Sequence, residues 1–152
     1  GAALPSADVV ACSAAFRHPD AAPDAGTHDG TDDDTDDDTD AGTDDARADA
    51  ATAARLRELG VRHIAVTHGP EPVRWWSDGR AGTVPVPPVT AVDTAGAGDA
   101  FHGALALAVA GDPAVRDLPG ALRYAVEVAG IRVTHAGPRA WLDDGRLRIL
   151  RA

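Results

Sequence analysis

Hydrophobic and polar positions divide the chain into short strands and longer helices. The runs 7–12 and 61–67 are short and rich in Val, Ile and Ala, which is typical of buried strands. Between them, 47–59 repeats its apolar positions at helical spacing and ends at Gly60, a residue type that commonly follows a last helical turn. Strand, helix and strand in this order predict a right-handed βαβ unit with its two strands parallel.

The next part of the chain predicts a β-hairpin and then a helix. Segments 73–76 and 82–85 flank Asp78-Gly79, a dipeptide that favours a tight hairpin turn. A Pro-rich stretch follows, and the small apolar residues from Ala100 to Ala110 then predict the helix.

A second helix is predicted after a break at Asp112-Pro113. Asp117 is placed to cap its N-terminus, with Pro119 in the first turn, and apolar residues then recur at i, i+3 and i+4. The tail, 141–152, predicts a turn at Asp144-Gly145 and a final strand.

The net charge of −10 comes from one segment. Residues 20–49 hold 13 Asp and one Arg, whereas the rest of the chain holds 11 acidic residues and 13 Arg. The segment has almost nothing to bury and repels itself, so we expect a disordered insertion. A weak cation-binding tract or an interaction tail are the alternatives, although evenly spread Asp residues do not preorganise a cation site. The scattered Arg residues elsewhere have no aromatic partners, which argues against a nucleic-acid surface.

Chain length, cysteine content and hydrophobic runs indicate the number of domains and the cellular compartment. The 152 residues suffice for one domain, and the single Cys12 excludes an internal disulfide and fits a reducing compartment. No run approaches the ~20 apolar residues of a membrane span, and no signal-peptide pattern opens the chain. We therefore expect a cytoplasmic protein without a membrane partner. The chain begins at Gly1 rather than Met, which leaves its true start in doubt.

The stretch 92–101, Val-Asp-Thr-Ala-Gly-Ala-Gly-Asp-Ala-Phe, holds the candidate chemistry. Gly96, Ala97 and Gly98 let backbone N–H groups approach an anion closely, at the N-terminus of a predicted helix, which attracts negative charge. Asp99 follows in the first turn. A carboxylate beside a phosphate-sized hole suits phosphoryl transfer, because it takes the proton of the attacking hydroxyl while the N–H groups stabilise charge. A plain strand-to-helix turn with a structural Asp is the alternative, since short glycine motifs also match by chance.

The string Asp-Thr-x-Gly-Ala-Gly-Asp-x-Phe resembles the C-terminal signature of the PfkB (ribokinase-like) family of carbohydrate and nucleoside kinases, and every fixed position is present. The resemblance implies an α/β fold, a ribokinase-like Rossmann-type layered sheet with flanking helices, of which this chain forms the C-terminal half. It implies an ATP-dependent phosphotransferase that uses Mg²⁺ and acts on a sugar or nucleoside hydroxyl. By this resemblance Asp99 is the catalytic base, and the backbone of Gly96, Ala97 and Gly98 is the anion hole. Residues 1–152 are then a partial kinase domain that carries the insertion 20–49.

Further site residues follow from the same resemblance. Thr67 and Gly69 resemble the Thr-x-Gly segment of the family and would contact ATP phosphate or ribose, with a plain strand end as the alternative. Asp93 would help to hold a monovalent cation such as K⁺, together with backbone carbonyls around Gly137. A turn or capping role is the alternative for Asp93. His102 is expected in a half-exposed structural position rather than facing a substrate.

The chain also departs from the family pattern. The Gly-Gly sugar-binding segment and the β-sheet lid of the N-terminal half are absent, so the sugar cannot be named. Residues 13–16, Ser-Ala-Ala-Phe, stand where many members have the Asn-x-x-Glu motif that supports magnesium binding. Val126 stands where an Asn or His beside the adenine is common. For the full-length enzyme the resemblance also allows a homodimer.

Three functions therefore stand open. The first is a sugar kinase represented by its C-terminal half. The second is a truncated, non-catalytic nucleotide-binding remnant, which keeps the anion hole but has lost the acceptor pocket. The third is an interaction protein that acts through 20–49. Sequence upstream of Gly1 would separate the first two, and capture of a partner by 20–49 alone would support the third.

Overall fold

The computed structural model describes residues 8–16, 41–112 and 114–150. Its elements, in chain order, are β1 (Val9–Ser13), α1 (Ala41–Glu58), β2 (His63–His68), β3 (Glu71–Ser77), β4 (Arg80–Val84), α2 (Ala97–Gly111), α3 (Leu118–Val133) and α4 (Gly145–Leu150), with a 3₁₀ turn at Ala140–Asp143. None of the helices in these ranges is long and apolar enough to cross a membrane.

The strands form one sheet in the order β1-β2-β3-β4. β1 pairs in parallel with β2, while β2–β3 and β3–β4 are antiparallel. The predicted βαβ unit and hairpin are both confirmed. The hairpin turns at Asp78 (φ 46°) and Gly79 (φ 78°), and two successive positive φ angles are what a tight two-residue turn needs.

Helices cover both faces of the sheet, because successive side chains of a strand point to opposite sides. Ile64 of β2 is fully buried against Leu56 of α1 on one face. Its neighbour Ala65 belongs to the larger core on the other face, with Trp75 of β3 and Leu122 of α3. The α/β layered fold expected from the sequence is therefore present, and α2 and α3 lie on the side of the larger core.

α1 begins earlier than the sequence indicated. It starts at Ala41, so residues 41–49 of the predicted disordered insertion are helical, and that part of the expectation is wrong. The acidic Asp44 in the first turn favours a helix N-terminus. Asp49 is fully buried because partners on β2 and β3 take up its charge. Residues 20–40 of the insertion lie outside the described residues.

The expected final strand is also wrong, because 145–150 forms α4. The Asp144 carboxylate accepts a hydrogen bond of 2.8 Å from the backbone N–H of Arg146, so the expected turn residue caps a helix instead. Leu147 is buried in the larger core, and its neighbours Arg146 and Arg148 are exposed.

The start of α3 agrees with the sequence. Asp117 caps the helix through a 2.9 Å hydrogen bond from the backbone N–H of Gly120, and Pro119 occupies the first turn. This position of Pro119 shows that a proline at the second residue of a helix is compatible with this fold.

Candidate active site

The turn into α2 is built around Gly96. Its backbone is left-handed, with φ 75° and ψ 9°, a conformation that glycine adopts without a steric penalty. The N–H of Ala97 donates to the Thr94 carbonyl at 3.2 Å and so closes the turn. The amides of Gly98 and Asp99 follow in the first helical turn, where a helix offers no carbonyl partner to its N–H groups. These two amides are donors that the helix leaves available to an anion. Of the expected anion hole of Gly96, Ala97 and Gly98, the Ala97 amide is taken by the Thr94 carbonyl, so that part of the expectation is wrong.

Asp99 lies beside this turn and is exposed. A Cβ atom at Gly96 would lie 4.0 Å from Oδ2 of the Asp99 carboxylate. Both residues line an open cavity of about 510 Å³, whose walls include Tyr124, Arg132 and Trp141. A molecule in the cavity therefore has access to both the carboxylate and the helix N-terminus.

Thr67 and Gly69 lie at the carboxyl end of β2. The hydroxyl of Thr67 donates to the Cys12 carbonyl of β1 at 3.4 Å, and its own carbonyl accepts from the N–H of Ala14 at 2.8 Å. Gly69 has φ 63° and turns the chain into β3. These contacts fix the strand end. They leave Thr67 at the sheet edge where parallel strands of α/β proteins place ligand-binding loops.

His102 joins α2 to the sheet. Its Nδ1 lies 2.7 Å from the Gly98 carbonyl and its Nε2 lies 3.3 Å from the Ala11 carbonyl of β1. The ring also packs edge-on against Phe101, with 5.5 Å between centroids. The expected structural role of His102 is thus supported, although its side chain is exposed. His102 of α2 and Thr67 of β2 thus bond to neighbouring residues of β1, Ala11 and Cys12.

Asp93 is brought close to Gly137, as the predicted cation site requires. One carboxylate oxygen accepts from the N–H of Ala95 at 2.9 Å, and the other accepts from the N–H of Gly137 and from Nη2 of Arg132, both at 3.2 Å. The Ala95 amide, the Arg132 guanidinium and the Gly137 amide hold the pKa of Asp93 below its ordinary value. The carboxylate is therefore ionised at neutral pH.

Arg132, at the end of α3, is the site residue that sequence reasoning missed. Its Nη1 donates to the carbonyl oxygens of His135, at 3.0 Å, and Asp93, at 3.4 Å. Carbonyl oxygens of this kind replace the hydration shell of a potassium ion when one is bound. Here a guanidinium takes them, and Gly137 turns its N–H, not its carbonyl, toward Asp93. The arrangement does not fit a monovalent cation.

No cluster of three or more His, Cys, Asp or Glu side chains able to hold a metal ion occurs in 8–16, 41–112 and 114–150. Mg²⁺ in kinases is bound largely by substrate phosphates, waters and one or two carboxylates, so it needs no protein cage. The exposed Asp99 and the free helix N-terminus are compatible with such a phosphate-borne ion.

The layered α/β sheet, with its glycine turn and a carboxylate at a helix N-terminus, has the fold of ribokinase-like proteins. Residues 35–144 match the model of the pfkB family of carbohydrate kinases, and the chain belongs to that family.

Solved structures agree with this assignment. Ribokinase from Thermotoga maritima is 32% identical over 59% of this chain, with a TM-score of 0.51. A putative ribokinase II from E. coli is 29% identical over 67% of the chain, with a TM-score of 0.55. Aminoimidazole riboside kinase from Salmonella enterica, solved with aminoimidazole riboside and an ATP analogue, shares the fold over 98% of the chain at 21% identity and a TM-score of 0.64. The chain spans 29%, 31% and 43% of these three proteins, respectively.

Proposed function

We propose that this chain carries the ATP-facing side and the catalytic base of a kinase that phosphorylates a hydroxyl group of a sugar or nucleoside. The observation that carries the proposal is the exposed Asp99 carboxylate in the first turn of α2, beside the left-handed Gly96 and an open cavity. Family membership supports phosphoryl transfer as the chemistry. A putative ribokinase II from E. coli has been solved with ATP and Mg²⁺, which supports the same pair of cofactors for this chain.

Each residue of the turn has a distinct task in this proposal. Asp99 accepts the proton of the attacking hydroxyl, and its exposure lets a hydroxyl reach it. The Gly98 and Asp99 amides, together with the dipole of the 15-residue α2, stabilise negative charge that develops beside them. ATP supplies the phosphoryl group and Mg²⁺ neutralises its phosphate charge. Catalysis by this chain then consists of positioning and charge stabilisation.

The end of β2 is proposed as the second nucleotide contact. Thr67 is half-buried and its hydroxyl is bonded to Cys12, and Gly69, whose φ is positive, puts no side chain into the turn. The proximity of this turn to the start of α2 is supported by bonds from Thr67 and His102 to the neighbouring residues Cys12 and Ala11 of β1. A nucleotide held at both places would span the carboxyl edge of β1 and β2.

The proposal is tested by removing one amide of the anion site. Gly98→Pro deletes an N–H that the helix itself does not use, at the same helical position that Pro119 occupies in α3. Gly98→Ala keeps the N–H, and its Cβ would meet no atom within 4 Å, so it is the matched control. In a calorimetric titration with MgATP, we expect Gly98→Ala to bind within about twofold of the unaltered chain.

Gly98→Pro should weaken MgATP binding by ~10-fold or more, because a hydrogen bond to a charged group contributes ~1.5–3 kcal/mol. Circular dichroism should show unchanged helix content in both variants. Equal affinities for the alanine and proline variants would exclude the Gly98 amide from the site. No binding of MgATP by the unaltered chain would contradict the proposed nucleotide site as a whole.

A further inference from the structure

A buried positive charge lies directly under the proposed phosphate turn. Arg132 is 4% exposed, and a Cβ atom at Gly96 would lie 3.7 Å from its Nε and 3.9 Å from its Nη2. Few arginines are buried to this extent without partners, and here the Asp93 carboxylate supplies the counter-charge. The guanidinium therefore bonds to the loop that leads into α2 and borders the space that a side chain at Gly96 would fill.

The oxygens around this guanidinium form a small cation-binding shell. The shell consists of the Asp93 carboxylate and the backbone carbonyls of Asp93 and His135, which belong to two separate loops. One carboxylate and two carbonyls are also the ligand types that a monovalent cation would take. Because the guanidinium always carries its charge and directs five N–H groups in a fixed plane, it satisfies these oxygens without an ion.

We propose that Arg132 serves as a built-in monovalent cation, and that the site works without K⁺ or Na⁺. The inference rests on the proposed function, because it assigns Arg132 to holding the Gly96 turn and lending its charge to the anion site. A second monocation in the same shell would lie within a few ångströms of the guanidinium and repel it strongly, since the screening of charges is weak in a buried site. Arg132 is thus a positioning residue, and its presence excludes the ion.

The test compares salts that differ only in the cation. Thermal unfolding and MgATP titration are measured in KCl, NaCl and tetramethylammonium chloride at equal ionic strength, for the unaltered chain, Arg132→Ala and Arg132→Lys. Tetramethylammonium is too large for the shell, so a specific ion effect appears as a difference between it and K⁺. Arg123→Ala, on the same helix but with its side chain 59% exposed, is the control for general charge effects.

For the unaltered chain we expect melting temperatures within ~1 °C and ATP affinities within about twofold in all three salts. Arg132→Ala should become dependent on K⁺: the ion fills the vacated oxygens, raises the melting temperature and restores ATP affinity at least ~5-fold relative to tetramethylammonium. Arg132→Lys should stay independent of the salt, because it keeps a positive charge in the shell. Arg123→Ala should behave as the unaltered chain.

Two results would overturn the inference. One is a melting temperature of the unaltered chain that rises in K⁺ but not in tetramethylammonium. The other is an Arg132→Ala variant that folds and shows no response to K⁺. If Arg132→Ala fails to fold in any salt, Arg132→Gln, which keeps hydrogen bonding without the charge, takes its place in the comparison. If no ATP binds in any salt, the proposed function fails, and the melting temperatures still decide the role of Arg132.

Discussion

The Asp99 carboxylate and the Arg132 guanidinium, a candidate base and a cation, both border the space that a side chain at Gly96 would fill. A Cβ atom at Gly96 would lie 4.0 Å from the Asp99 carboxylate and 3.7 Å from the Arg132 guanidinium. The positive φ of 75° makes any other residue strained there. Asp99, Gly96 and their order could be predicted from the signature. Arg132 could not, because its partner Asp93 lies 39 residues away and an arginine near the end of a helix is usually exposed.

Also at the residue scale, we expect the contact between Asp144 and Arg146 to be sensitive to acid. The Arg146 side chain and backbone N–H lower the pKa of Asp144 from 3.8 to about 2. Because the pKa is lowered in the folded state, the ionised carboxylate stabilises the protein at pH values above 3.8. This contribution is lost as the pH falls through about 2. The melting temperature of Asp144→Asn should therefore be lower than that of the unaltered chain at pH 5. The difference between the two melting temperatures should shrink as the pH falls to about 2.

The matched control is Asp143→Asn, a neighbouring exposed carboxylate. Its melting temperature should follow that of the unaltered chain across the same pH range. A constant difference between Asp144→Asn and the unaltered chain from pH 5 to pH 2 would show that the Asp144 contacts do not depend on its charge.

At the scale of elements, signals that act over a few residues gave correct predictions, whereas the first residues of α1 and the helical form of 145–150 were not predicted. Asp78-Gly79 specifies the hairpin by itself, and Asp117 specifies the start of α3, because both act over two or three residues. In α1 the buried Asp49 bonds to His68 and Arg74, which are 19 and 25 residues away. The helical form of 145–150 accompanies burial of Leu147 in a core built from other elements. Neither contact leaves a pattern in the nearby sequence.

The structure of the hairpin predicts that replacing Gly82 destabilises the protein. Gly82 of β4 lies opposite Trp75 of β3, and a Cβ atom there would lie 2.9 Å from Cζ2 of the indole. Trp75 is 7% exposed and sits in the larger core, so the ring has little room to move. Gly82→Ala should lower the free energy of unfolding by ~1–3 kcal/mol, measured by urea denaturation.

Gly103→Ala in α2 is the control for Gly82→Ala. Its Cβ would meet nothing within 4 Å, and alanine favours a helix, so this variant should be equally stable or more stable by ~0.5–1 kcal/mol. Unchanged stability of Gly82→Ala would mean that the indole can shift freely in the hairpin.

At the scale of the whole molecule, the described residues form a two-faced sheet whose edge strand β1 pairs only with β2 in 8–16, 41–112 and 114–150. The chain spans under half of the kinases whose fold it shares. The acceptor-binding segment and lid that the resemblance implies therefore stay predictions, as do the homodimer and the identity of the sugar or nucleoside. The proposed nucleotide side of the site, by contrast, consists of residues of α2, α3 and the end of β2.

The measurement that tests the central claim most directly is phosphoryl transfer by the full-length protein with Asp99→Asn. Asparagine keeps the shape of the side chain but cannot accept the proton of the hydroxyl. Turnover should fall ~10²-fold or more while ATP affinity changes little, and Asp78→Asn in the exposed hairpin turn should leave both unchanged. Turnover of Asp99→Asn within a few-fold of the unaltered enzyme would contradict the assignment of Asp99 as the base.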